Sequence, residues 1–455
     1  MKQIAALFFL FTALLCNAQS GNWQSLFDGK TLNGWKQLTG SADYEVENGM
    51  IVGTTAEKSP NSFLASDTRI TGDFVLEMET MMSDSISNSG VQFKSNFDPK
   101  ANEGKGKVYG YQYDVDPTAR KWSGGIYDEG RREWLYPVSN NPKGQILFTP
   151  NVFHKVRIEC IGQKVKTWLD DQPVSFLVDT LSANQGIIAL QVHAIGKAKD
   201  AGVKIYWKNI RVQTKNIKEL PFPKGVYVAG LIPNKLTPYE EQNGWKLLFD
   251  GKTTNGWVGA HKNTFPDKGW KVKEGILQVM ASNGDESTNG GDIVSKNEYA
   301  AFDLSFDFKL TKGANSGIKY FVTLNEQSKG SAIGLEYQLL DDDVHPDAKL
   351  GRDGNRTLAS LYDLIKAKKI ERFFRKPGNW NTGRVIVYLN NHVEHYLNGV
   401  KVLEYDRGSQ AYRDLVAQSK YKIWPDFGEA QKGHILIQDH GNEVSFRSIK
   451  IKELK

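Results

Sequence analysis

The sequence predicts an all-β fold built as two tandem jelly-roll β-sandwiches, and three observations predict it. One stretch, Leu26-Phe27-Asp28-Gly29-Lys30-Thr31-Leu32-Asn33-Gly34-Trp35, recurs with a single substitution as Leu248-Phe249-Asp250-Gly251-Lys252-Thr253-Thr254-Asn255-Gly256-Trp257. After each copy, short runs alternate apolar and polar residues and are broken by Gly, Asn and Asp, the pattern of strands joined by tight turns. Helical spacing is nearly absent. Its one clear instance, Tyr412, Leu415 and Val416, reads as a helix inserted on the surface of the second copy.

In chain order, a short basic start, an apolar run over 4–15 and Cys16-Asn17-Ala18 have the parts of a secretory signal peptide. Cleavage is expected after Ala18, placing the mature protein in the periplasm or outside the cell. The run is too short to span a bilayer, and no second apolar segment follows, so no transmembrane segment is expected. A lipoprotein signal needs a small residue before its cysteine, and Leu15 stands there. Cys160 is then the sole cysteine left, so no internal disulfide can form. The remaining length suits two domains, 19–214 and 244–455, joined by a linker over 215–243 that carries Pro221, Pro223, Pro233 and Pro238.

The formal charge of +6 is spread without a long basic block, which gives no case for nucleic acid. Eleven Trp and eighteen Tyr suit stacking on sugar rings, and equally suit the filling of β cores. Strand pairs follow in matched order. A hairpin over 44–52 turns at Asn48-Gly49, and its counterpart is 270–277. The alternating runs 74–79 and 302–308 each put one parity in a core. A second hairpin, 156–170, matches 384–402 with its Asn398-Gly399 turn. Each copy closes on a pair, 186–193 with 203–212 and 433–440 with 444–451.

Four polar motifs recur that a plain sandwich does not need. Asn88-Ser89-Gly90-Val91-Gln92-Phe93 matches Asn315-Ser316-Gly317-Ile318-Lys319-Tyr320, and glycine inside a strand marks a bulge or the close approach of another group. Gly110-Tyr111-Gln112-Tyr113-Asp114 matches Glu336-Tyr337-Gln338-Leu339-Leu340, followed by Asp341, with Gln112 set against Gln338. Amides and carboxylates on one sheet face suit a hydroxyl-rich ligand, and a solvated outer face competes with that reading. Gly125-Ile126-Tyr127-Asp128, followed by Arg131, matches Ser360-Leu361-Tyr362-Asp363, preceded by His345. Long loops rich in aromatics, Arg and His cover a site or cap a sandwich mouth. Last, Leu190-Gln191-Val192-His193 matches Ile437-Gln438-Asp439-His440, with Gln and His on one face. Histidine can serve there as a general base, although a single histidine is more often structural.

Other chemistries fit less well. No Gly-x-Ser-x-Gly elbow, phosphate loop or His-Glu-x-x-His helix occurs. A divalent cation held by Asp341, Asp342, Asp343 and His345 is a candidate cofactor, against the simpler reading of a solvated acidic loop. His392 and His395 flank a hairpin turn and make no case for zinc.

The repeated opening, Asn-Ser-Gly on a strand, Glu-Tyr-Gln, Leu-Tyr-Asp, Gly-Asn-Trp-Asn at 378–381, Leu-Asn-Gly at 397–399 and the motif from Ile437 to Ile449 together resemble the bacterial 3-keto-disaccharide hydrolase family. The resemblance implies a concanavalin A-like fold in each copy and a glycoside or oligosaccharide substrate oxidised to a ketone at C3. It implies His440 as base or acid with Glu336 or His345 as partner, Tyr362 as a stacking or proton-donating group, and Gln338 and Lys319 as donors to ligand oxygens. Asn315, Asp341 and Gln438 complete that set, and His193, Gln112, Asp114, Tyr127, Arg131 and Gln191 would serve in the first copy. The first copy departs where Gly110 replaces Glu336 and Val192 replaces Asp439. A lectin-like binder without catalysis and a conventional glycoside hydrolase are the competing functions. The sequence leaves the oligomeric state open.

Overall fold

The computed structural model describes residues 22–455 apart from 181–182, 197–199, 222, 224, 284, 286–288, 326–331 and 371–372. The signal-peptide reading, with Cys16 and Ala18, lies outside the described residues. Among them no helix is long and apolar enough to cross a membrane.

The repeat becomes two β-sandwiches. Strands between Trp23 and Gly230 form a nine-stranded and a seven-stranded sheet, and strands between Trp245 and Glu453 form an eight-stranded and a five-stranded sheet. Each pair of sheets encloses one large apolar core. Alternation places the core side chains: Phe302, Leu304, Phe306 and Phe308 of the strand Phe302–Leu310 all point into the second core. Most tryptophans, Trp35, Trp207, Trp257 and Trp270 among them, are core residues, so the aromatic content is largely packing. Cys160 is buried in the first core, which raises its thiol pKa.

The twice-used opening stretch is a folding device. In each copy the aspartate carboxylate accepts two backbone N–H groups and a threonine hydroxyl, from Lys30 and Thr31 on Asp28 and from Lys252 and Thr253 on Asp250. The closing tryptophan donates its indole N–H back to the leucine carbonyl, Trp35 to Leu26 at 2.8 Å and Trp257 to Leu248 at 2.6 Å. These bonds satisfy the turn internally and leave nothing aimed at a ligand. The inserted helix forms as Gln410–Ala417, capped by the Ser409 hydroxyl, with Tyr412 buried beneath it.

The linker segment docks and carries short elements of its own. Ala229–Gly230 adds a parallel strand beside Gln172–Val178 of the first sandwich. The helix Pro238–Gln242 has a capping box from Thr237 and Glu240. Glu240 also pairs with Lys450 at 2.5 Å, and Asn234 donates to the Gly275 carbonyl, so the segment is fastened to the second sandwich too.

Candidate functional site

In the second sandwich the central strand Asn315–Val322 runs between Gly433–Ile437 and Leu335–Leu340. Ile318 pairs with both Ile437 and Tyr337, and all three enter the core. The opposite face therefore carries the polar set: Lys319 beside Glu336, and Gly317 beside Gln338. Gln438 extends the edge, donating its N–H to the Gly317 carbonyl at 3.0 Å. With its nitrogen turned toward the two acceptors, the Gln338 amide donates to Glu336 at 3.0 Å and to the Ser316 carbonyl at 3.1 Å, and it meets the Asn315 side chain at 3.2 Å. Lys319 donates to the Ala332 carbonyl at 3.0 Å and lies 3.7 Å from Asp292.

Gly317 is the gap in this row. A Cβ there would stand 2.3 Å from Glu336 Oε1. Gly317→Ala should therefore push the carboxylate out of place. Because a displacement near 1 Å can cost about 100-fold in rate, kcat/KM should fall by one to two orders of magnitude while the far-ultraviolet circular dichroism stays native. An unaltered kcat/KM would remove Glu336 from the site.

Around the row, one loop residue fixes two others. The Asp347 N–H donates to His345 Nδ1 at 3.2 Å, and the Asp347 carboxylate accepts the Tyr362 hydroxyl at 2.8 Å. Arg356 bridges Asp347 and Asp363 at 2.9 and 2.7 Å, and Asp363 also accepts the Lys420 N–H at 2.8 Å. The Lys420 ammonium then lies 4.3 Å from the Tyr362 ring centroid. Burial lowers the Lys420 pKa, while the Glu336 carboxylate raises it and Lys319 lowers it.

His345 and His440 meet edge to face with ring centroids 6.1 Å apart. Burial lowers the His345 pKa, and His440 lowers it further. Of the two partners weighed for His440, His345 is the ring it meets, and Glu336 stands in the row beside Gln338, whose amide donates to it at 3.0 Å.

The acidic run does not assemble with His345 as a cation cage. Asp341 spends its oxygens on the N–H groups of Gly313 and Asp343, and Asp342 accepts Leu358 N–H and pairs with Lys369. Among the described residues, metal-binding side chains cluster instead at His392, Glu394 and Glu404 on the other sheet, where Lys401 already pairs with both glutamates. His395 is a core residue, its Nδ1–H donating to the Ala359 carbonyl at 3.1 Å and its Nε2 accepting the Tyr320 hydroxyl at 2.8 Å. Asp439 is likewise scaffold: its carboxylate accepts the N–H groups of Gly290, Gly291 and Gly441, where Val192 of the first sandwich packs in a core.

The first sandwich repeats the arrangement with one correction to the sequence alignment. Gly90 pairs with Gln191 on one side and Asp114 on the other, and Gln92 pairs with Gln112. Gln112 thus stands where Glu336 does, and Asp114 where Gln338 does. A Cβ on Gly90 would collide with Gln112, as one on Gly317 would with Glu336. Matching Gln112 to Gln338, and Gly110 to Glu336, was two residues out of register. A two-residue slip keeps every side chain on its face, so alternation could not reveal it. The amide and the carboxylate have exchanged places between the copies. The amides form a chain, Gln92 to Gln112 at 2.6 Å and Gln112 to Asp114 at 2.9 Å.

Gln112, Asp114, Tyr127, Gln191 and His193 all line one cleft. Arg131 does not join them. It is drawn to Asp128 at 2.7 Å and lies over the ring of Tyr111, a core residue on the other side of the sheet. Sequence reasoning missed Arg120, Glu129 and Trp134, which line the same cleft, and Asp347, Arg356 and Lys420 in the second sandwich. Burial pushes the Glu129 pKa up to about 7. Alternating Tyr127 and Glu129 on Ile126–Glu129 was a legible signal for Glu129; nothing local in the sequence marks Lys420.

Comparison with known proteins agrees with this double construction. A 3-keto-disaccharide hydrolase of Bacteroides thetaiotaomicron is 37% identical over 235 residues, which is 47% of this chain and 80% of that protein. A crystal structure of a proposed glycosyl hydrolase from Parabacteroides distasonis is 31% identical, with a TM-score of 0.43, covering 49% of this chain and all of the other. A carbohydrate-binding module of Bacillus subtilis is 18% identical, with a TM-score of 0.28, covering 40% of this chain and 96% of that module. The family model of the 3-keto-alpha-glucoside-1,2-lyase-like domain matches residues 22–213 and again 244–452, and the chain belongs to that family through both halves.

Proposed function

We propose that this is a secreted enzyme whose second sandwich cleaves glycosides carrying a ketone at C3 of the sugar. A C3 ketone acidifies the C2 proton. A base removes that proton, the electron pair forms the C1–C2 double bond, and the C1 substituent leaves as an alcohol once its oxygen is protonated. Water then adds across the double bond, its hydroxyl to C1 and a proton to C2, giving the free 3-keto sugar. The site needs one group to take the proton and another to donate to an oxygen. It does not need two carboxylates at a fixed separation.

The observation that carries this reading is the His345–His440 pair at the end of a row of amides, carboxylate and ammonium. His345 accepts the Asp347 N–H on Nδ1, so its neutral form carries hydrogen on Nε2 and can donate to a substrate oxygen. His440 takes the C2 proton. Gln338, Glu336 and Lys319 hold sugar hydroxyls along the row, and Tyr362 walls the ring.

The test is a 3-keto-glucoside deuterated at C2. Release of the alcohol with loss of deuterium to water is expected. Cleavage of unoxidised disaccharides with the C2 label retained would make the protein a conventional glycoside hydrolase, and saturable binding without turnover would make it a lectin-like binder.

A further inference from the structure

The cleft of the first sandwich has a wall that the first sandwich does not supply. Phe373, which follows the second sandwich's loops, is buried among first-sandwich residues at 6% exposure and lines the cleft with Gln112, Asp114, Gln191 and His193. Its ring lies 5.8 Å from Trp122, and the Arg120 guanidinium lies 5.9 Å from it. Trp134 continues the same wall, 4.6 Å from Trp122 and 5.2 Å from Tyr127.

Phe373 is delivered in a fixed position. The side-chain amide of Asn398 donates to its carbonyl at 2.8 Å, and Asn381 exchanges hydrogen bonds at 2.8 Å with the backbone of Arg375. The Arg375 guanidinium reaches across to the Arg132 carbonyl of the first sandwich. Close contact continues at Gly399, where a Cβ would stand 2.7 Å from Pro137.

Docking alone would account for the ring, but not for what lies under it. Gln191 is 1% exposed, and among the described residues its Oε1 meets no hydrogen-bond donor; Asn88 Oδ1 in the same cleft is in the same condition. A buried acceptor left unmade costs about 1–3 kcal/mol, and both are amide acceptors suited to hydroxyl donors. Apolar rings on one side and amide acceptors on the other match a sugar ring, with its C–H face and its hydroxyls.

We propose that this cleft is a second sugar-binding site, completed by Phe373 and therefore present only in the two-sandwich chain. It rests on the sugar reading above and does not depend on the 3-keto chemistry. The hydroxyls of one sugar ring donate to Gln191 and Asn88, and the ring's C–H face lies against Phe373 and Trp134.

The full chain, labelled with 5-fluorotryptophan and with the Trp134 resonance assigned through Trp134→Phe, is titrated with methyl α-D-glucoside and with its 3-keto derivative. A saturable shift of the Trp134 signal is expected with at least one of them, persisting in His440→Ala. Phe373→Ala and Gln191→Leu should each weaken that binding at least tenfold. Absence of a saturable Trp134 shift with both sugars overturns the proposal, as does a dissociation constant unchanged in both variants. Turnover without the Trp134 shift leaves the proposed function standing and removes this site; the shift without turnover does the reverse.

Discussion

Replacing His440 by alanine is expected to lower kcat for a 3-keto-glucoside by about 100- to 10,000-fold, the usual share of a positioned acid or base. That is roughly 3–5 kcal/mol of transition-state stabilisation. Binding should change far less, because the residues proposed to hold the sugar, Gln338, Glu336 and Lys319, lie along a different part of the row. His345 and His440, with ring centroids 6.1 Å apart, would act together as the proposed acid and base, so removing both should cost little more than removing the worse one. Burial holds His345 below the ordinary histidine value of 6.5, so above that pH it stays a neutral donor and should add no step of its own to the pH profile. An intact kcat in His440→Ala would remove the histidine from the chemistry.

Acid should unfold the second sandwich through a histidine that never touches substrate. His395 is fully buried, and burial drops its pKa to about 4 from 6.5. The unfolded chain therefore binds a proton that the folded chain refuses, and stability rises with pH across that window. The contribution is present above pH 6.5 and is lost as pH falls toward 4, for a total of about 3 kcal/mol. His395→Gln keeps groups able to meet the Tyr320 hydroxyl and the Ala359 carbonyl but cannot take up the proton. Urea midpoints measured between pH 4.5 and 7 should vary less in the variant than in the native chain. Equal slopes would mean that His395 is not the acid-sensitive group. The result also bears on the site, since Ala359 in turn donates its N–H to the Gln338 carbonyl.

The site was half legible in the sequence. The Gln-x-His pair was visible because it recurs, and Gly317 because glycine inside a strand is unusual. The cross-strand position of Glu336 was not. Two tyrosine–glutamine dipeptides aligned better by identity than by register, and strand register is set by hydrogen bonds to neighbours far away in sequence. Arg131 looked like a ligand-binding residue for its type and loop, yet the neighbouring Asp128 holds it on the other side of the sheet.

By itself, the sequence determined that there are two copies of one β-sandwich, because a near-identical turn and a matched order of alternating strands are local properties written twice. It also determined which face of each strand is polar, since alternation fixes parity. The tertiary structure alone decided the rest. It laid the Gln112 side chain over Gly90 and the Glu336 side chain over Gly317, brought His345 to His440, and carried Phe373 from one sandwich into the cleft of the other. The physical reason is common to all three. Each depends on contacts between segments distant in the chain, for which the local pattern of residues holds no record.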